Sequence, residues 1–386
     1  MGGMDRRAVV TEIQPGAVGA RGEGIGTDRR GRKVFVTGAI PGERVVARVL
    51  AERPTYLRAR LEEVLEPSPF RTMPPCPELA HGCGGCQWQH IDPEGQRALK
   101  RGAIEQALRG LARVKQVPMQ PTVALPDCGY RTVLRAAVSG GRAGYRRARG
   151  HTVVPVAGCL VAHPLLEDLL VRGRYGEATE VILRCGARTG DRLAAPDPGN
   201  ADIAVPSDVQ REAIREFAAG REWRISARSF FQSRPDGADA LAQLVLTESG
   251  EPGTAVDLYS GVGLFAGVLS DAGWSVSAVE ASAGAVADAL VNLAGHPVIE
   301  ADVARWAATP ADLVVADPNR AGLGPEGVRA VAATGARRVI LVSCDVQALG
   351  RDAGLLGRKW YSLSSVTPVD LFPHTYHVEV VSVFDR

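Results

Sequence analysis

The chain has no apolar run approaching the roughly 18 residues that a membrane-spanning helix needs, and its first residues are charged and glycine-rich rather than apolar. A membrane helix and an export signal are therefore not expected. There is no internal repeat. The seven cysteines are odd in number, so a complete disulfide framework is excluded and a reducing cytoplasm is the expected setting. A net charge of only +2 looks uninformative, yet it hides an asymmetry. Residues 1–150 hold 25 Lys/Arg against 14 Asp/Glu, while the remainder holds 20 against 29. Residues 97–150 alone have 12 basic and 2 acidic side chains, including Arg142, Arg146, Arg147 and Arg149 around Tyr145. A basic run is more often a solvated face than a binding site, but an excess this one-sided and nearly all arginine suits phosphate contacts, hence a nucleic acid.

What is present begins with Leu341-Val342-Ser343-Cys344-Asp345, an apolar run that ends on a single thiol. A lone cysteine there is usually a small core residue. At the C-terminal end of a buried strand it can instead be a nucleophile at a cleft rim, with Glu379, some thirty residues on, as a waiting base. Its company favours the second reading. Thr254-Ala255-Val256 reads as a strand and Phe265 onward as a helix, joined by Tyr259-Ser260-Gly261-Val262-Gly263. A Gly-x-Gly turn lets backbone approach a ligand because no Cβ intrudes. The third glycine of a dinucleotide fingerprint is missing, which disfavours nicotinamide. The next strand, Trp274 to Val279, ends in Glu280, placed to accept bonds from ribose hydroxyls. Strand, glycine turn, helix, strand and acid make a nucleoside-binding half-fold.

Three further runs repeat the pattern: Val298-Ile299 into Asp302, Leu313 to Ala316 into Asp317-Pro318, and Val339 to Ser343 into Cys344. Apolar strands separated by helix-length stretches predict a parallel sheet covered on both faces, with the terminal polar residues gathered along one edge. Asp302 suits either an adenine amino group or the cap of the following turn. Asp317 precedes a proline, which forbids a further ladder bond and turns the acid out of the sheet.

Asp317-Pro318-Asn319-Arg320-Ala321-Gly322, Val342-Ser343-Cys344-Asp345 and Phe372-Pro373-His374-Thr375-Tyr376-His377-Val378-Glu379 resemble the motifs of the RNA uracil-C5 methyltransferase family, and Ser229-Phe230-Phe231-Gln232 is similar to its Phe-Phe-Gln segment. The resemblance covers nearly the whole chain. It implies an S-adenosylmethionine-dependent enzyme that makes 5-methyluridine, with Cys344 adding to carbon 6 and Glu379 removing the carbon-5 proton. Gln232 would lie at donor and base, and Tyr259, Gly261, Gly263, Glu280, Asp302 and Asp317 would line the donor site. Cytosine-C5 enzymes resemble a two-cysteine arrangement, and residues 317–322 contain no cysteine. Leu264 stands where many members have Asn, Asn319 where Pro or Ala is common, and Ser260 where Cys is common.

Cys76, Cys83 and Cys86, the last two in Cys83-Gly84-Gly85-Cys86, have metal-like spacing, and by spacing alone zinc is the commoner guess. The resemblance points instead to a [4Fe-4S] cluster held by these three and Cys159, as in ribosomal members; Cys128 and Cys185 are left as core or unassigned. Short glycine-broken β runs over residues 1–65 read as a small barrel and resemble a TRAM domain, an OB-like RNA-binding module. Residues 96–112 have helical spacing, 123–188 alternate as strands, and 208–220 read as another helix. The expected architecture is thus α/β: residues 1–65 a TRAM β-barrel, 66–228 a central α+β domain around the iron–sulfur cluster, and 229–386 a Rossmann-like class I methyltransferase domain. The expected partner is RNA, 23S rRNA before tRNA, for a cytoplasmic monomer. A non-catalytic RNA-binding protein and a redox sensor whose cluster gates RNA binding are the rival readings. Intact Cys344, Asp317 and Glu379 speak against the first, and the second needs a labile cluster.

Overall fold

The computed structural model describes residues 10–148 and 150–386. The first nine residues of the expected N-terminal domain, and Arg149 of the arginine run, lie outside the described residues. The chain forms two compact units.

The first unit comprises residues up to Pro77, Cys86–Ala103 and Pro373–Tyr376. Its strands are β1 (Val10–Ile13), β2 (Ala17–Val18), β3 (Gly24–Thr27), β4 (Lys33–Thr37), β5 (Arg44–Glu52) and β6 (Tyr56–Glu66). They form one sheet in the order β1-β5-β6-β4-β3-β2, with β4 and β6 parallel. Alternation sends Val34, Val36, Val45, Ala47, Leu57 and Ala59 inward. Three register shifts between β5 and β6 bend the sheet over this small core. Glu43 is fully buried, and its carboxylate accepts from the Ile40 amide at 2.8 Å and from the Arg71 guanidinium. Burial opposes its ionisation, but the Arg71 bonds prevail and hold it below the usual carboxylate range. Buried Trp88 donates its indole N–H to the Gly22 carbonyl at 3.0 Å.

The second unit comprises Glu78–Gly85, Ile104–Phe372 and His377–Arg386. Helix α1 (Pro93–Leu111) enters it from Ile104 onward. Strands β7 (Val133–Ser139), β8 (Arg142–Arg146) and β9 (Val153–Pro155), helix α2 (Pro164–Arg172), and strands β10 (Glu180–Cys185) and β11 (Arg192–Asp197) follow. These strands make an antiparallel sheet, β11-β10-β7-β8-β9. Helix α2 interrupts a stretch expected to be all strand. It starts at Pro164, where a missing N–H costs nothing, and His163 Nδ1 accepts from the Leu165 amide. The helix expected over 208–220 is instead β12 (Ala213–Ala218), which pairs with β13 (Arg221–Ser226). Ala219 and Gly220, both at positive φ, make a two-residue hairpin turn. The inward set is Ile214, Glu216 and Ala218, and a buried acid at the middle position conceals the period of two from the sequence. Glu216 accepts from the Ala187 and Arg188 amides, which satisfies it there.

Helices α3 (Pro235–Ser249), α4 (Leu264–Asp271), α5 (Ala283–Asn292), α6 (Gly324–Ala333) and α7 (Val346–Gly357) surround strands β14 (Thr254–Leu258), β15 (Ser275–Glu280), β16 (Val298–Glu300), β17 (Leu313–Ala316), β18 (Arg338–Ser343), β19 (Ser362–Val369) and β20 (Glu379–Asp385). The sheet order is β16-β15-β14-β17-β18-β20-β19, parallel except where β20 meets its neighbours. Alternate residues serve two cores. Ile340 and Val342 face α3 and α4, whereas Val339 and Leu341 face the end of α1, α6 and α7. For β14 to β18 this is the parallel sheet, covered on both faces, that the sequence predicts, and the antiparallel β19 and β20 extend it beyond that expectation. Chain order reverses between β14 and β17, so a crevice opens at the C-terminal ends of these strands.

Candidate active site

At that reversal β14 runs into Tyr259, Gly261 and Gly263, all at positive φ. Gly263 is required there, because a Cβ would come within 2.7 Å of the Leu293 side chain. Glu280, ending β15, accepts from the Gly261 amide at 2.9 Å and the Ser282 amide at 2.7 Å. Its carboxylate is thereby fixed beside the turn before any ligand arrives. Asp302 accepts from the Ala304 amide at 2.9 Å, so it does cap the turn after β16. It also acts with burial to raise the Tyr259 phenol to about 12. Leu264, at the departure from the family pattern, is buried in the core at the start of α4. Asn319 holds its own turn, accepting from the Ala321 amide at 2.9 Å.

Four expected residues meet where β17, β18 and β20 lie side by side. Ala316 pairs with Leu341, and Ser343 pairs with Val380. Asp317 therefore follows β17, Cys344 follows β18, and Glu379 opens β20 at one end of three neighbouring strands. Gln232 donates its side-chain amide to Asp317 Oδ2 at 3.1 Å. Burial lifts Asp317 to about 7, against the pull of that bond. Burial, then the charge of Asp317, pushes Glu379 well above the usual carboxylate range. The Cys344 thiol is raised to about 12 by burial and by both carboxylates, with Arg320 pulling the other way. Two buried acids and a thiol thus compete to stay protonated, which readies the group for proton transfer.

Several supporting residues carry no sequence signal of their role. Asp257 is fully buried and accepts from the Ala266 amide at 2.9 Å, tying the strand before the glycine turn to the helix after it. Burial raises it to about 8. Asn292 donates to the Val262 carbonyl at 3.0 Å and to the Arg224 carbonyl at 3.0 Å, bracing the turn against β13. Arg184, 5% exposed on β10, donates to the Ser229 carbonyl at 2.7 Å and so anchors the loop that carries Gln232. Phe230 on that loop is 62% exposed beside Gly261.

Among the thiols of the second unit, Cys159 Sγ lies 3.4 Å from the Tyr145 hydroxyl, and Cys83 packs in the same apolar cluster. Their backbones are pinned, the Cys83 amide on the Glu78 carbonyl at 3.0 Å and the Cys159 amide on Glu167 at 2.7 Å. In the first unit the Cys76 amide donates to Gln89 at 3.0 Å. All four expected ligands are partly accessible thiols outside any disulfide, which suits soft-metal ligation. Cys185 is buried, whereas Cys128 is exposed.

Residues 11–61 match the TRAM domain model. An uncharacterized RNA methyltransferase of Streptomyces avermitilis is 35% identical, over 97% of this chain and 98% of the relative. A second, from Streptomyces coelicolor, is 34% identical over 97% of this chain and 92% of the relative. The chain belongs to the family of these RNA methyltransferases. The solved structure of a Pyrococcus abyssi tRNA (uracil-54, C5)-methyltransferase in complex with S-adenosyl-L-homocysteine superposes with a TM-score of 0.76, over 97% of this chain and 100% of that one. At 22% identity the likeness is one of fold, and the fold is that of a class I S-adenosylmethionine-dependent methyltransferase. As a family member the protein is an RNA methyltransferase with a TRAM domain. No helix among the described residues is long and apolar enough to cross a membrane.

Proposed function

We propose that this protein transfers a methyl group from S-adenosylmethionine to carbon 5 of a uridine in RNA, with 23S rRNA as the target. One observation carries the reading: Gln232, Asp317, Cys344 and Glu379 share one end of the sheet, next to the Gly261–Gly263 turn and Glu280. Glu280, Asp302, Tyr259 and the glycine turn would hold the donor, which supplies an electrophilic methyl when bound. The buried Ser260 hydroxyl and Asp257 Oδ1 have no hydrogen-bond partner among the described residues, leaving polar capacity at this turn.

Carbon 5 of uracil is a poor nucleophile until carbon 6 is attacked. Cys344 sulfur would form the bond to carbon 6, its proton passing to an ionised member of the Asp317–Glu379 pair, and the ring would become an enolate. After carbon 5 is methylated, Glu379 would take the carbon-5 proton. The electrons of that C–H bond would restore the ring double bond and expel the Cys344 thiolate. Arg142, Arg146 and Arg147 would contact RNA phosphates, although Arg146 is already ion-paired with Glu180 at 2.9 Å. Cys76, Cys83, Cys86 and Cys159 would hold a [4Fe-4S] cluster with a stabilising role.

Mapping 5-methyluridine in ribosomal and transfer RNA from a strain lacking the gene tests the reading directly. One ribosomal position should lose its methyl group. Loss confined to transfer RNA would correct the target, and no loss in either would remove the uridine assignment.

A further inference from the structure

The other end of the same sheet carries a feature that the proposed chemistry does not use. Helix α7 ends at Gly357, and the chain turns through Arg358-Lys359-Trp360 before β19. Trp360 is 81% exposed and adopts φ 68°. That is the left-handed region, where glycine sits without strain and a bulky aromatic does not. A strained backbone and an indole left in water are two separate costs at one residue. Its neighbour Tyr361 is by contrast buried, with its hydroxyl on the Ala336 carbonyl at 2.8 Å.

Four cations lie on the two segments that flank Trp360, and Asp385, opposite Ser362, is taken up by an ion pair with Arg338. The backbone of Leu111 and Ala112 comes within 3.5 Å of where a Cβ on Gly354 would sit, one turn before Arg358. From there the chain runs alongside β19, Met119 bridging to Val366 in parallel. Arg113 and Lys115 lie on this stretch, next to the turn that holds Arg358 and Lys359. All four are exposed, and among the described residues none forms an ion pair. Neither residues 106–126 nor residues 353–369 contain an Asp or Glu. The patch lies away from the chemistry: β18 begins at Arg338, whose partner Asp385 also pairs with Ser362, and ends five residues later at Ser343, beside Cys344. That separates the two ends by roughly 17–20 Å along the strand.

We propose that Trp360, flanked by Arg113, Lys115, Arg358 and Lys359, is a second RNA contact that stacks a base of a single-stranded segment remote from the methylated uridine. An exposed ring among uncompensated cations is the arrangement that binds single strands, the ring taking a base face and the cations the backbone. A duplex would offer no free face. The inference rests on RNA being the substrate.

The test is direct binding by the full-length protein to two probes, a labelled 12-mer of oligouridine and a 12-base-pair RNA duplex. Trp360→Ala should weaken oligouridine binding about 5- to 100-fold, while Trp360→Phe retains most of the affinity. Duplex binding, S-adenosylmethionine affinity and the melting temperature should not move in the alanine variant. Replacing Arg358 and Lys359 together by alanine should lower the oligouridine salt slope by about 1.4, at ~0.7 per contact. Unchanged oligouridine affinity in Trp360→Ala overturns the proposal and leaves the patch to a protein partner. Equal losses on both probes overturn it as well, since stacking requires an unpaired base. Methyl transfer to RNA by the wild type is measured separately. Its absence would remove the proposed function without touching the binding result.

Discussion

Gln232 donates its side-chain amide to Asp317 Oδ2 across 3.1 Å, joining the loop after β13 to the C-terminal end of β17. The bond favours the ionised carboxylate in a site where burial favours the neutral acid. With Asp317 near 7, the pair it forms with Glu379 is poised to accept a proton around neutral pH, so kcat/KM should fall on the acid side as Asp317 protonates. Gln232→Leu removes the stabilising donor and should move that acid limb to higher pH. A limb that stays in place, or moves down, would separate Gln232 from the titration.

Cys344→Ser should bind donor and RNA with near wild-type affinity yet lose turnover, because an alkoxide is not accessible near neutral pH. RNA containing 5-fluorouridine should trap the wild-type protein covalently, since fluorine cannot leave as a proton does. Denaturing gels and methyl-transfer assays read both effects. Substantial methylation by the serine variant would move the nucleophile elsewhere.

Loss of a general base typically costs about 10²–10⁴ in rate. In Glu379→Gln the loss should fall after methylation of carbon 5, so a methylated covalent adduct should accumulate even on natural uracil. A slow variant that never accumulates adduct would assign the proton to another group, with Asp317 the first to examine.

Asp257 links pH to stability. Its folded value of about 8 lies above the ordinary carboxyl value of 3.8, so the folded protein holds a proton that the unfolded chain has released. That contribution is complete below about 4, is lost as pH rises through 8, and is flat beyond. Asp257→Asn should therefore flatten the decline in melting temperature between about pH 4 and 8 relative to wild type. Parallel pH profiles for the two proteins would show that Asp257 is ionised throughout.

Purified without oxygen, the protein should be brown and contain four irons per chain if the [4Fe-4S] assignment holds. Replacing Cys76, Cys83, Cys86 or Cys159 singly by alanine should remove the colour and lower the melting temperature, because metal binding contributes to folding. Colourless protein with one equivalent of zinc would keep the ligands and change the metal.

The sequence by itself determined the apolar strands of the large sheet, the glycine turn and the residue types at the strand ends. Apolar strands ending in Glu280, Asp317 and Cys344 were legible because a strand buried on both faces needs a continuous apolar run, and a polar residue at its end stands out. The glycine turn was legible because only glycine tolerates the backbone at Gly263 without meeting Leu293. The β12 strand was not, since buried Glu216 looks like a surface residue until the amides of Ala187 and Arg188 are seen to satisfy it. Arg184 and Asp257 gave no signal either, because their roles depend on partners brought near by the fold. Tertiary structure alone decided the proton equilibrium. Burial and the proximity of Asp317, Glu379 and Cys344 are properties of three packed strands, and no local pattern encodes how far each pair of charges ends up apart.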